Sequence, residues 1–97
     1  MDPKSRIGFQ QLLEAQIAEW EKTIENLEHR LARAKDASDL PARIETMKRH
    51  LPVLREKIDK TTTEPDASWP RFKSEVDRIL EDLRWLQRDF MRRLGGA

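Results

Sequence analysis

Apolar residues recur along this chain at alternating steps of three and four. From Leu13 they fall at Ile17, Trp20, Ile24, Leu27, Leu31 and Ala34, with mostly charged and polar residues between them. That spacing puts all seven on one stripe of a helix and predicts a coiled-coil seam. Asp2-Pro3 reads as an N-cap followed by proline at the first helical position, where a missing N–H costs nothing. Gly8 weakens the first turns by about 1 kcal/mol relative to alanine. The helix is expected to end near Asp36.

Ala37-Ser38-Asp39-Leu40-Pro41 reads as a short turn, with Ser38 or Asp39 as cap. A second seam follows at Leu40, Ile44, Met47, Leu51, Leu54 and Ile58. Pro52 interrupts it, removing one hydrogen bond to the Lys48 carbonyl and crowding that carbonyl at roughly 3 kcal/mol. Because the apolar register passes through unchanged, a kink near His50-Leu51 is expected, and no stop. Thr61-Thr62-Thr63-Glu64-Pro65-Asp66-Ala67-Ser68 is poor helix material and reads as a loop. Trp69-Pro70 opens a third helix, whose seam is Trp69, Phe72, Val76, Ile79, Leu83, Leu86 and Phe90. Leu80, Met91 and Leu94 widen that stripe, as packing against two neighbours requires. Gly95-Gly96 ends it. The pattern predicts an all-α fold, an antiparallel three-helix bundle or coiled coil. It is elongated, with a long first helix and helices at about 3–36, 40–60 and 70–94 in a single domain of 1–97.

Composition narrows what such a bundle does. The 97 residues carry 19 Lys and Arg against 18 Asp and Glu, so the net charge is only +1 although 38% of the chain is charged. A balance this close gives no bulk reason to expect nucleic acid or an anionic membrane as partner. The absence of cysteine removes disulfide scaffolds, thiolate zinc sites and cysteine nucleophiles. Three glycines leave no phosphate-cradling loop. No apolar run suggests a signal peptide or a membrane span, and the cytoplasm is the expected location.

Two stretches carry a resemblance. Leu13-Glu14-Ala15-Gln16-Ile17-Ala18-Glu19-Trp20, continuing through Ile24 and Leu27 to the basic, alanine-containing Arg30–Lys35, resembles the opening helix of a family of small uncharacterised bacterial coiled-coil domain-containing proteins of similar length. Ala67-Ser68-Trp69-Pro70-Arg71-Phe72-Lys73, with Val76 and Leu83, resembles the segment that opens their last helix. The resemblance implies a three-helix fold and assigns no activity. Pro41 and Pro52 depart from the family pattern.

Catalytic and metal constellations are not expected. His29 and His50 lack the Glu-x-x-His and His-x-x-x-His spacings that bring two ligands to one helix face, and both read as surface residues. The carboxylate pairs Glu25–Glu28, Asp77–Glu81 and Glu81–Asp82 lie off the seams, where no burial raises a pKa for acid catalysis. The reading is therefore no enzyme, no metal, no cofactor and no small-molecule substrate.

Two places carry candidate function. Trp85 lies about 140° from the third seam, among Arg78, Glu81, Asp82, Arg88, Asp89 and Arg92. A large aromatic among charges on an outer face fits a partner contact, because Trp and Arg dominate interface hot spots; the alternative is an indole stacked on Arg88 or Arg78 of its own helix. The second place follows from lengths of about 50, 31 and 37 Å for the three helices. The second helix, folded back from Asp39, ends beside helix one at about residue 15. The first dozen residues, with Ile7, Phe9 and Leu12, then overhang. Either the threonine loop and Trp69 fold over them or another chain does, and self-association is the favoured reading. The expected contact residues are thus Ile7, Phe9, Leu12, Trp85, Arg88 and Arg92 in a non-catalytic protein-interaction or scaffold protein. The alternative is a surface binder of nucleic acid or anionic membrane through Arg84, Arg88 and Arg92 on the third helix.

Overall fold

The computed structural model describes residues 3–34 and 39–95. The expected Asp2 and Ser38 caps, the helix end near Asp36 and Gly96 lie outside those residues. The chain forms a helical bundle of α1 (Pro3–Arg33), α2 (Leu40–Lys60) and α3 (Trp69–Gly95), with a 3-10 turn at Asp66–Ser68 leading into α3. No strand occurs among the described residues. The bundle is a rod of 51 × 19 × 17 Å.

The core follows the spacing. Leu13, Ile17, Ile24 and Leu27 of α1 are buried against Leu40, Ile44, Met47, Leu51 and Leu54 of α2, together with Trp69, Phe72, Val76, Leu83, Leu86 and Phe90 of α3. At one position the α3 stripe is offset: Leu80 is buried, and Ile79, expected on the seam, is only partly so. Each fully buried Leu, Ile or Phe contributes about 1.5–3 kcal/mol of transfer free energy, which is what holds three charged helices together.

Pro52 sits inside α2, and the helix runs through it from Leu40 to Lys60. The buried side chains of Leu51 and Leu54 on either side of it keep α2 on the core, and two such burials offset the roughly 3 kcal/mol cost of the proline. Asp39 occupies the N-cap position of α2 with helical φ and ψ and no capping hydrogen bond. Its carboxylate accepts from Arg93 of α3 instead, at 3.0 Å.

Charged pairs tie the helices at their edges. Glu28 and Glu21 of α1 meet Lys48 and Arg55 of α2 respectively. Arg43, His50 and Lys57 of α2 meet Asp89, Asp82 and Glu75 of α3. In both sets one partner's number falls as the other's rises.

Candidate protein-interaction surfaces

The N-terminal end of α1 extends past the end of α2, and the 61–66 loop folds over part of it. Arg6 organises that cover. Its guanidinium donates to the Thr61 carbonyl at 3.2 Å, to the Glu64 carbonyl, and to Asp66 Oδ1 at 2.6 Å. It also lies 4.4 Å over the Trp69 ring, and the residue is only 7% exposed. Phe9, one turn on, meets the Trp69 ring edge-on at 5.3 Å, and Trp69 stacks on Phe72. Gln10 donates to the Ile58 carbonyl at 3.2 Å. Beneath the loop, Thr61 is buried and its hydroxyl donates to the Lys57 carbonyl.

Of the three apolar residues expected at this end, Phe9 is thus packed within the chain and half-buried. Ile7 and Leu12 remain 47% and 60% exposed. Five residues of helix separate those two by about 140°, so they face different sides of α1 and form no single patch.

Trp85 is 55% exposed on the outer face of α3. Its ring is capped from α2, because the Arg43 guanidinium lies 5.6 Å from the ring centroid. The stacking partner therefore belongs to a different helix from the Arg88 or Arg78 that the sequence suggested. Trp85, Arg88, Asp89 and Arg92 line one shallow surface depression, which brings the three expected α3 contact residues together. Asp89 forms its floor and is 4% exposed. Its Oδ1 accepts from Arg92 at 2.7 Å, while Oδ2 lies 3.2 Å from Arg43 and 3.1 Å from Arg93 without a well-aligned hydrogen bond. One carboxylate thus faces three guanidiniums, a buried charge surrounded by more than enough countercharge.

The arginine row expected on α3 is not uniformly available. Arg84 is held by Glu81 at 2.9 Å, and Arg92 by Asp89. Arg88 forms no ion pair with any described residue, while the charges of Arg71 and Arg78 act on the Glu75 carboxylate, which also accepts from Lys57.

His50 departs from the expected surface setting: it is half-buried, with its Nδ1 2.7 Å from the Thr46 carbonyl and its Nε2 3.8 Å from Asp82. His29 is exposed, 3.9 Å from Glu25. Among the described residues no group of three or more histidine or acidic side chains is placed to hold a metal ion, and no helix is long and apolar enough to cross a membrane. No protein-family model, curated protein or solved structure matches the chain.

Two contributors were missed in the sequence. Arg6 had a signal, since stepping back from Leu13 by four and three lands on Phe9 and then Arg6, and the seam continues onto both. Arg43 had none, because its ring partner and its carboxylate partner both come from α3.

Proposed function

We propose that this chain is a non-catalytic helical protein–protein interaction or scaffold protein that self-associates. The observation that carries this reading is Trp85, more than half exposed at the rim of a depression it shares with Arg88 and Arg92. Trp and Arg are the residues most enriched at the energetic centres of interfaces. The opposing order of ion-paired partners between α1 and α2, and between α2 and α3, supports an antiparallel arrangement of the three helices as the rigid support. Self-association is assigned to the N-terminal end of α1, where Leu12 presents an exposed apolar side chain beside the loop-covered region. Sedimentation over about a hundredfold range of protein concentration tests it, because assembly shifts with concentration by mass action. The average mass is expected to rise with concentration, and Leu12→Ser to return it toward the monomer. A monomer at every concentration would overturn self-association.

A second reading, binding of nucleic acid or anionic membrane through α3, is favoured by the exposed Arg88, which forms no ion pair with a described residue. It is weakened by Arg84 and Arg92, which already hold carboxylates.

A further inference from the structure

Asp77, Glu81, Arg84 and Arg88, all exposed, stand in one line on the outer face of α3. Their steps of four, three and four keep them within about 60° of one another around the helix. The line has a direction, with acids in its first half and bases in its second. Within the chain its charges are only half used. Glu81 accepts from Arg84 at 2.9 Å. Asp77 and Arg88, about 16.5 Å apart along the axis, form no ion pair with a described residue. Trp85 lies at the edge of the line, 55% exposed and steadied by Arg43 of α2.

We propose that this line is an interface between two copies of the chain, which pair α3 against α3 in opposite directions about a two-fold axis between Asp82 and Leu83. Reversal sets the acids of one copy on the bases of the other. Asp77 meets Arg88, Glu81 meets Arg84, and the axis makes each pair twice. The inference rests on the self-association reading above and adds a charge-built contact to the apolar one at Leu12. A two-fold contact requires a surface complementary to itself, and a line that runs from acid to base is one. Parallel pairing would set each charge against its own kind, so charge fixes the orientation as well as the occupant. Arg78 stands off the line beside Glu75, and Arg92, beyond its end, is bonded to Asp89. The same axis brings the two Trp85 positions to within about 7.5 Å of each other along the helix direction, on the same edge of the contact. The line sums to no net charge, so a polyanion meets Asp77 and Glu81 as readily as Arg84 and Arg88.

Two full-length variants test it. Arg84→Glu/Arg88→Glu makes the line wholly acidic, and Asp77→Arg/Glu81→Arg makes it wholly basic. In sedimentation at low salt each variant alone should associate at least about tenfold more weakly than the unaltered chain, because every pair in the line becomes like-charged. An equimolar mixture of the two should form a one-to-one heterodimer at least as tight as the unaltered pair. Trp85→Ala should weaken association about tenfold, as loss of a hot-spot aromatic does. Raising salt from about 50 to about 500 mM should weaken the α3 contact, since exposed charges are screened. Leu12→Ser should leave that salt-sensitive part of the association in place. All the altered α3 positions are exposed, circular dichroism checks that each variant keeps its helices, and recovery in the mixture shows that both variants fold. Variants that associate as the unaltered chain does, or a mixture that stays monomeric, would overturn the proposal. Association that Leu12→Ser abolishes and the α3 variants leave untouched overturns this interface and keeps the broader self-association reading. A monomer at every concentration and salt overturns both.

Discussion

Arg6 shows how a single charged side chain can belong to a hydrophobic seam. It lies on the α1 stripe, yet its three hydrogen bonds go to loop groups 55 to 60 residues away in sequence. The aliphatic stem and flat guanidinium let it cover the Trp69 face while its donors satisfy carbonyls that the turn leaves without helical partners. Arg6→Ala removes the donors from the Thr61 and Glu64 carbonyls and uncovers Trp69. It is expected to cost about 2 kcal/mol, the scale of hydrogen bonds from a charged donor, read as a lower urea midpoint with an unchanged slope. Arg6→Lys should recover only part of this, since one ammonium cannot reproduce the fork or the stacking. Trp85 is the complementary case. Its exposure was legible from its angle to the seam, but its support by Arg43 was not, because helical spacing reports only neighbours on the same helix.

At the scale of the helices, hydrophobic spacing predicts three, and the described residues form three α-helices. α1 ends its regular hydrogen bonding at Arg33 and tightens, with the Ala34 amide bonding the Leu31 carbonyl at 3.1 Å. The loop before α3 gains a 3-10 turn at Asp66–Ser68, in which the Ser68 hydroxyl donates to Glu64 at 2.8 Å. Threonines and proline signalled the break in α2, but the short turn depends on side-chain bonds that periodicity does not encode. Gly8 lies in α1 with open space where a side chain would project. Gly8→Ala is therefore expected to raise stability by about 1 kcal/mol through helix propensity alone. Thermal unfolding followed by circular dichroism checks this, and an unchanged or lowered midpoint would contradict it.

For the whole molecule, edge ion pairs make stability depend on pH in a fixed direction. The hydrogen bond from Lys57 and its positive charge hold the Glu75 carboxyl below its ordinary pKa, and Lys60 does the same for Glu56. A depressed carboxylate pKa in the folded state stabilises the fold above the unfolded value of about 4.3. That contribution is lost as pH falls through the folded pKa. The thermal midpoint should therefore hold near neutrality and fall in acid below about pH 4.3. Glu75→Gln should lower the neutral midpoint slightly and flatten the acid slope. Both effects are small, because the pair is partly solvated and screened by salt.

The sequence by itself determined the three helices, the core stripe on each and the outward position of Trp85. Each of these is set by where a side chain falls around one helical cylinder. Only the tertiary structure decided that Asp89 is buried and that Arg43 of α2 joins Arg92 and Arg93 of its own helix around that one carboxylate. It likewise decided that Phe9 is covered by Trp69 while Leu12 stays exposed. Packing two helices side by side pairs residues far apart in the chain, and no one-dimensional period records which of them meet.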